Sequence, residues 1–131
     1  MKTSEGPPVH RTLIVARMDP ADAPNVAEAF AASDGTELPH MIGVSRRTLF
    51  AFHNLYFHLV EADHDIAPGL YKARSHPLYG ELNKKLSESI SPFDPGWREP
   101  KDAMAVPFYS WTPENGCLIT EVAGANMGGA R

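Results

Sequence analysis

The sequence holds few of the features that tie a protein to a metal, a nucleotide cofactor or an oxidising compartment. Its 131 residues include a single cysteine, Cys117, which has no partner for an intramolecular disulfide and belongs to no Cys/His cluster typical of zinc. There is no GxGxxG, Walker-type loop, GxSxG or HExxH motif. We therefore expect no cofactor and no metal, and any catalysis would depend on acid–base and charge chemistry.

Charge and apolar runs exclude two further kinds of partner. The formal net charge is -4, so the chain lacks the basic excess typical of proteins that bind nucleic acid. No apolar run approaches the ~18 residues that a membrane-spanning helix needs. The first ten residues lack the apolar core of a signal peptide. We expect a cytoplasmic protein that binds neither nucleic acid nor membrane.

The order of the predicted elements indicates an α+β fold of the ferredoxin-like type. The patterns predict strand 11–18, a helix from Asp19 or Asp22 to Gly35, strands 41–52 and 55–62, a helix from residue 63 divided near Pro77, and strand 105–111. This β-α-β-β-α-β order places both helices on one face of an antiparallel sheet. We expect a flexible N-terminus over 1–10, one domain over 11–113 and a loose tail over 114–131.

The central hairpin is apolar on both of its faces. Phe50 and Phe52 alternate with other apolar residues, and Phe57 alternates with Tyr56. A sheet with one face in water would alternate more cleanly between apolar and polar residues. The pattern therefore predicts that the second face is buried against a second copy in a homodimer.

Several titratable side chains fall on or near this hairpin. Arg47 and His53 share one face of its first strand, while His58 shares a face with Tyr56 on the second. His58 suits either a hydrogen-bonded histidine of the sheet or an acid–base group. The register that would bring it close to Arg47 is not readable from the sequence.

Other candidates lie where helices end. Asp34 closes the first predicted helix, where an aspartate often only forms a turn. Arg74 and His76 flank the break before Pro77. There they either interact favourably with the helix dipole or contact a substrate.

Five segments, in this order, cover about three-quarters of the chain together with the residues between them. They are ARMDPADA (16–23), DGTELP (34–39), IGVSRRTLFAFHNLYFHLVEAD (42–63), ARSHPLY (73–79) and FYSWT (108–112). The series resembles the small tetracenomycin-type cyclases of bacterial aromatic polyketide pathways. The resemblance implies a homodimeric, ferredoxin-like, dimeric α/β-barrel-like assembly. It also implies an aldol-type ring closure of a poly-β-ketone, followed by loss of water.

The resemblance also carries residue roles to this chain. It places the acid–base groups on Asp34, Arg47 and His58, and Ser33 stands where the family can have a histidine. A fixed cation at Arg47 suits a developing enolate, and an apolar pocket would hold a flat, nascent polycycle. We expect that pocket to be lined by Phe50, Phe52, Tyr56 and Trp111. The predicted substrate contacts are His53, Arg74, His76, Ser33, Tyr56 and Trp111.

Two alternatives stay open at this point. One is a cofactor-free oxygenase of the same fold that oxidises similar polyketides, since it would need the same apolar pocket and base. The other is a non-catalytic dimer that shapes the substrate for a synthase. The sequence also leaves open which ring closes, and whether the substrate is free or tethered to a carrier protein.

Overall fold

Four strands form one antiparallel sheet in the computed structural model, which describes residues 9–122. The strands are β1 (His10–Met18), β2 (Arg46–Phe52), β3 (Leu55–Ala62) and β4 (Ile90–Pro92). Their order across the sheet is β2-β3-β1-β4, with every neighbouring pair antiparallel. The predicted ferredoxin-like α+β fold is confirmed.

Four helices pack on one face of this sheet. They are α1 (Ala23–Asp34), α2 (Leu38–Ile42), α3 (Ala67–Ala73) and α4 (Pro77–Leu86). The even-numbered side chains of β3 point toward them and are all buried, from Tyr56 to Ala62. Val26 and Phe30 lie one turn apart on α1 and pack beside Tyr56, whereas the neighbouring Ala27 is exposed. The core therefore lies between the helices and this face of the sheet.

Capping explains where the helices begin. Asp19 accepts a hydrogen bond at Oδ1 from the amide of Ala21 (2.9 Å), which starts a short 3₁₀ turn leading into α1. The predicted division near Pro77 is confirmed, since Nδ1 of His76 accepts from the amide of Leu78 (3.0 Å) and caps α4. Pro77 then occupies a first-turn position, where its missing N–H costs nothing.

The strand predicted over 41–52 begins later, at Arg46. Residues Leu38–Ile42 form α2 instead, with Pro39 in the first turn. Gly43 ends α2 at φ 98°, a left-handed conformation that other residues adopt only with strain. A helix of one turn was invisible to the apolar periodicity because it is too short to show one.

The last strand of the main sheet was predicted wrongly. The fourth strand is Ile90–Pro92, where no strand was predicted, and it pairs with Ala16–Met18 at the sheet edge. In the stretch predicted as strand 105–111, the amide of Ala105 donates to the carbonyl oxygen of Leu13 in β1 (2.7 Å). The strand that this stretch forms, β5 (Tyr109–Thr112), pairs outside the main sheet with β6 (Gly116–Ile119). The predicted loose tail thus contains a strand, and the predicted flexible N-terminus overlaps β1 at His10. Residues 1–8 and 123–131 lie outside the described part.

The second face of the sheet carries apolar side chains and no helix. Its cross-strand pairs include Leu13 with Leu59 and Phe50 with Phe57. Phe50 and Phe52 are 50% and 60% exposed. Both faces of the hairpin thus carry apolar side chains, and within residues 9–122 nothing covers the outer part of this face. Its burial against a second copy stays a prediction. No helix in that range is long and apolar enough to cross a membrane.

Candidate active site

A cavity of about 340 Å³ lies between the sheet and the helices. This volume falls within the range of about 300–1,000 Å³ typical of small-molecule sites. Its walls are mostly apolar and come from both layers; they include Ile14, Phe30, Leu38, Leu70, Leu82, Leu86, Ile90 and Trp97. Three polar side chains of the hairpin also line it, namely Arg47, Tyr56 and His58. An apolar cavity with few convergent polar groups is the usual form of a binding site for a small organic molecule.

Asp34, Arg47 and His58 form one continuous hydrogen-bonded chain. Arg47 donates from Nε to Oδ2 of Asp34 (3.0 Å) and from Nη2 to Oδ1 (2.6 Å). The same guanidinium donates from Nη1 to Nε2 of His58 (3.1 Å). The structure therefore brings together the three residues that the resemblance singled out, although they are separated in sequence and lie on three elements.

The fold explains this convergence. Arg47 and His58 lie on the buried side of neighbouring strands because β2 pairs with β3 in the register that sets Leu49 opposite His58. Asp34 is the last residue of α1 and approaches from the helix layer. Phe30, one turn earlier, packs beneath the guanidinium of Arg47 (4.7 Å to the ring centroid) and edge-on against His58 (5.1 Å between centroids). Phe30 thus holds both side chains in place.

His58 is a neutral imidazole at physiological pH. It is 7% exposed, and this burial, with the positive charge of Arg47 as a second cause, lowers the pKa of His58 to about 3. A guanidinium only donates hydrogen bonds, so Nε2 of His58 must be the acceptor and Nδ1 carries the proton. In this resting arrangement the ring offers an N–H rather than a lone pair to its surroundings.

Tyr56 is the second buried polar side chain of the cavity. It lies on the same face of β3 as His58, with the two ring centroids 6.2 Å apart. Burial raises the pKa of Tyr56 well above its usual value, although Arg47 opposes the shift. The phenol is therefore neutral and can donate a hydrogen bond.

The other predicted substrate contacts do not line this cavity, and three have structural roles near helix or hairpin ends. The carbonyl oxygen of Ser33 accepts from the Thr36 hydroxyl (2.6 Å). His53 forms the tight β2–β3 turn at φ 53°. His76 caps α4. Contact between these residues and a substrate stays a prediction.

Arg74 and the predicted aromatic lining lie elsewhere on the surface. The guanidinium of Arg74 stacks 5.6 Å from the centroid of Tyr71. Phe50 and Phe52 project from the open face of the sheet, and Trp111 lies 59% exposed on β5. The expectation that these three aromatics line the cavity is wrong, because strand alternation turns both phenylalanines away from it and Trp111 belongs to the separate hairpin.

Sequence reasoning missed most of the apolar wall. Leu82 and Leu86 on α4 and Phe30 on α1 fit the helical spacing of apolar residues. Such spacing indicates which side of a helix faces inward, but not whether that side meets a packed core or a cavity. Trp97 lies in a connection for which no periodicity exists. Within residues 9–122, no group of three or more His, Cys, Asp or Glu side chains could hold a metal ion.

Comparisons with known proteins agree with the fold. Tetracenomycin F2 cyclase of Streptomyces glaucescens is 57% identical over 103 residues, covering 79% of this chain and 94% of the relative. The polyketide synthase CurG of Streptomyces cyaneus is 43% identical over 104 residues, covering 79% of this chain and 97% of the relative. An uncharacterised protein of Streptomyces coelicolor is 50% identical over 105 residues, covering 79% and 95%.

A solved structure of tetracenomycin F2 cyclase, described as a type-II polyketide cyclase, superposes with a TM-score of 0.75 and 57% identity. The match covers 79% of this chain and 97% of that one. The model of the polyketide synthesis cyclase family matches residues 10–112, a range that includes the Asp34–Arg47–His58 chain and every residue of the cavity. The chain belongs to the polyketide synthesis cyclase family.

Proposed function

We propose that the protein closes a ring in a poly-β-ketone intermediate by intramolecular aldol addition and loss of water, without a cofactor. Family membership and kinship with tetracenomycin F2 cyclase support an aromatic polyketide cyclase. The observation that carries the finer proposal is the Asp34–Arg47–His58 chain at the wall of an apolar cavity. These residues supply a fixed positive charge and a proton-carrying group, which is what an aldol reaction of an acidic methylene needs.

Arg47 is the group best placed to stabilise the enolate. A methylene between two ketones is acidic enough to lose its proton to a positioned base, and the charge that remains spreads onto oxygen. The Arg47 side chain is only 13% exposed, and its two bonds to Asp34 fix its orientation. A charge held in an apolar cavity acts more strongly on a developing anion than one in water.

His58, which is hydrogen-bonded to Arg47, would transfer protons to and from the substrate. Its proton is on Nδ1 in the resting arrangement, so the ring can donate a hydrogen bond to a substrate oxygen in the cavity that it lines. Action as a base would require Nε2 to give up its bond from Arg47, which the oxygen of a bound substrate ketone, competing for that guanidinium, would bring about. Asp34 acts through Arg47, because it lies outside the cavity lining.

The proposal predicts turnover that needs neither metal nor oxygen. Incubation of the purified protein with a partly cyclised poly-β-ketone should give a product lighter by one water, with the ultraviolet spectrum of a newly formed aromatic ring. The rate should be the same after treatment with a chelator and under an oxygen-free atmosphere, because neither a metal ion nor oxygen takes part in the reaction. Products are separated and identified by mass and absorbance.

The two alternatives give different results in the same assay. An oxygenase would stop without oxygen and would add oxygen to the mass of the product. A non-catalytic substrate-shaping dimer would leave the rate unchanged when Arg47 and His58 are both replaced by alanine. Either result would contradict the proposal.

We further propose that the protein is a homodimer joined through the open face of its sheet. This face carries apolar pairs such as Leu13–Leu59 and Phe50–Phe57, a surface that soluble monomers rarely leave in water. The β5–β6 hairpin lies partly beside it and exposes apolar side chains of its own, including Leu118 and Ile119. A two-stranded hairpin is marginally stable alone, so it too would gain from a covering partner.

Phe50→Glu should convert this dimer into a monomer. The substitution sets a carboxylate on the apolar face, where burying it without a partner is strongly unfavourable. Ala51→Glu is the matched control, since it adds the same charge one residue along β2 on the helix-covered side of the sheet, at a position that is itself exposed. Sedimentation at micromolar concentration measures both. A wild-type protein that sediments as a monomer would contradict the proposed dimer. A Phe50→Glu protein that stays dimeric would contradict its location on the open face of the sheet.

The single cysteine is consistent with a compartment in which thiols stay reduced. Cys117 is exposed on β6 and is the only cysteine in the sequence. We place the reaction in the cytoplasm, where thiols remain reduced.

A further inference from the structure

The hydroxyl group of Tyr56 lies in the cavity without a partner from the described residues. Tyr56 is 4% exposed and lines the cavity wall. Within residues 9–122, the one fully enclosed side-chain polar atom that lacks a hydrogen bond is Nδ1 of His10. The Tyr56 hydroxyl, which makes no bond in that range either, therefore keeps some of its surface open to the cavity.

Packing alone gives no reason for a hydroxyl here. The ring belongs to the core cluster with Val26 and Phe30, and a phenylalanine would fill the same space without the cost of desolvating a polar group. Tyr71 shows the contrast, because its hydroxyl donates to Oε1 of Glu99 (3.0 Å) and so joins two parts of the fold. An unpaired buried polar group calls for a ligand or a water molecule.

The position of the ring indicates which ligand atom it would meet. Tyr56 and His58 project from the same face of β3 with ring centroids 6.2 Å apart, and both face the cavity into which Arg47 also points. A substrate oxygen that approaches Arg47 and His58 would also come close to a third hydrogen-bond donor, the Tyr56 hydroxyl. Three donors around one region form the kind of preorganised site that stabilises a developing oxyanion.

We propose that Tyr56 is a further catalytic residue, whose hydroxyl donates a hydrogen bond to the substrate oxygen on which negative charge develops during ring closure. This inference rests on the proposed cyclase function. No proton needs to leave the phenol, since a hydrogen bond that strengthens as the charge grows is sufficient. The substrate class that fits is a chain of ketones whose oxygens can reach all three donors.

Tyr56→Phe should lower kcat by ~10²-fold, the typical loss on removing one oxyanion donor. KM should change much less, because the bond is strongest in the transition state. The melting temperature should stay the same or rise, since an unpaired polar group is removed from the core. Tyr71→Phe is the matched control, with the opposite pattern of a lower melting temperature and an unchanged kcat.

A binding measurement separates failure of this inference from failure of the proposed function. Titration with 1,8-dihydroxyanthraquinone, a flat molecule with clustered carbonyl and hydroxyl oxygens, should show about tenfold weaker binding to Tyr56→Phe, as one lost hydrogen bond predicts. If the wild type turns over a polyketide and Tyr56→Phe matches its kcat, the hydroxyl serves only a bound water and the inference is overturned. If the wild type shows no turnover, equal affinity of the two proteins overturns it instead.

Discussion

Replacing Arg47 by alanine should lower kcat by ~10³-fold, the upper end of what one charge-stabilising group contributes. The guanidinium is the permanent cation of the cavity, and it contacts both Asp34 and His58. Its removal leaves the enolate without a counter-charge and frees the His58 ring from its donor. The fold should persist, because the partner carboxylate is 40% exposed and returns to water. Single-turnover kinetics at saturating substrate measure the loss, with a melting curve on the same preparation.

Two conservative variants separate charge from geometry. Arg47→Lys keeps the positive charge but lacks the planar fork that binds Asp34 through two nitrogens and reaches His58 with the third. We expect its kcat to lie between that of the wild type and that of Arg47→Ala. Asp34→Asn should also fall between them, since it weakens the orientation of Arg47 without removing the cation. A fully active Arg47→Ala enzyme would disprove the role of the charge.

The part of the site that could be predicted from the sequence is the part that depends on strand alternation. Tyr56, His58 and Val60 were expected to share a face of one strand, and all three are buried there. The pairing of Arg47 with His58 could not be derived in the same way, because it depends on the register that sets Leu49 opposite His58. Residue roles came from the resemblance, and the geometry brings those residues together.

The elements that were missed are short or lie at an edge. Helix α2 has a single turn and β4 has three residues, so neither is long enough to show a period in its apolar residues. The stretch near Phe108 has the composition of a strand, yet it pairs with β6 and not with the main sheet. Composition indicates that a segment can form a strand, whereas its partner depends on contacts between distant parts of the chain.

The lining of the cavity was predicted least well, for a physical reason. Phe50 and Phe52 are apolar and near Arg47 in sequence, but alternation along β2 turns them to the other face of the sheet. The walls come instead from helix residues such as Phe30 and Leu82. A helical stripe identifies which residues are buried, and it cannot distinguish a packed core from the wall of a cavity.

Because His58 is buried as a neutral ring, the stability of the wild-type protein should depend on pH, and replacing His58 should reduce that dependence. Its pKa is about 3 in the folded protein against an ordinary value of 6.5, so the unfolded chain binds the proton first as the pH falls. Stability is therefore lost as the pH drops from about 6.5 toward 3, by a few kcal/mol in all. His58→Gln does not titrate and should lose less stability between pH 7 and pH 4.5 in urea unfolding. An identical loss in both proteins would mean that the ring is not buried in its neutral form.

The catalytic consequence of the same position is the sharper test. His58→Ala should lower kcat by ~10²-fold or more, the typical contribution of a positioned acid–base group. His58→Gln retains an oxygen that can accept from Arg47 but has no ring nitrogen to exchange a proton, so it should be nearly as slow as His58→Ala. If His58 served only to hold Arg47, the glutamine variant would recover most of the wild-type rate. A histidine that merely packs in the sheet would, when truncated, lower the melting temperature and leave the specific activity of the folded protein near normal. That last result would contradict the proposed role of His58.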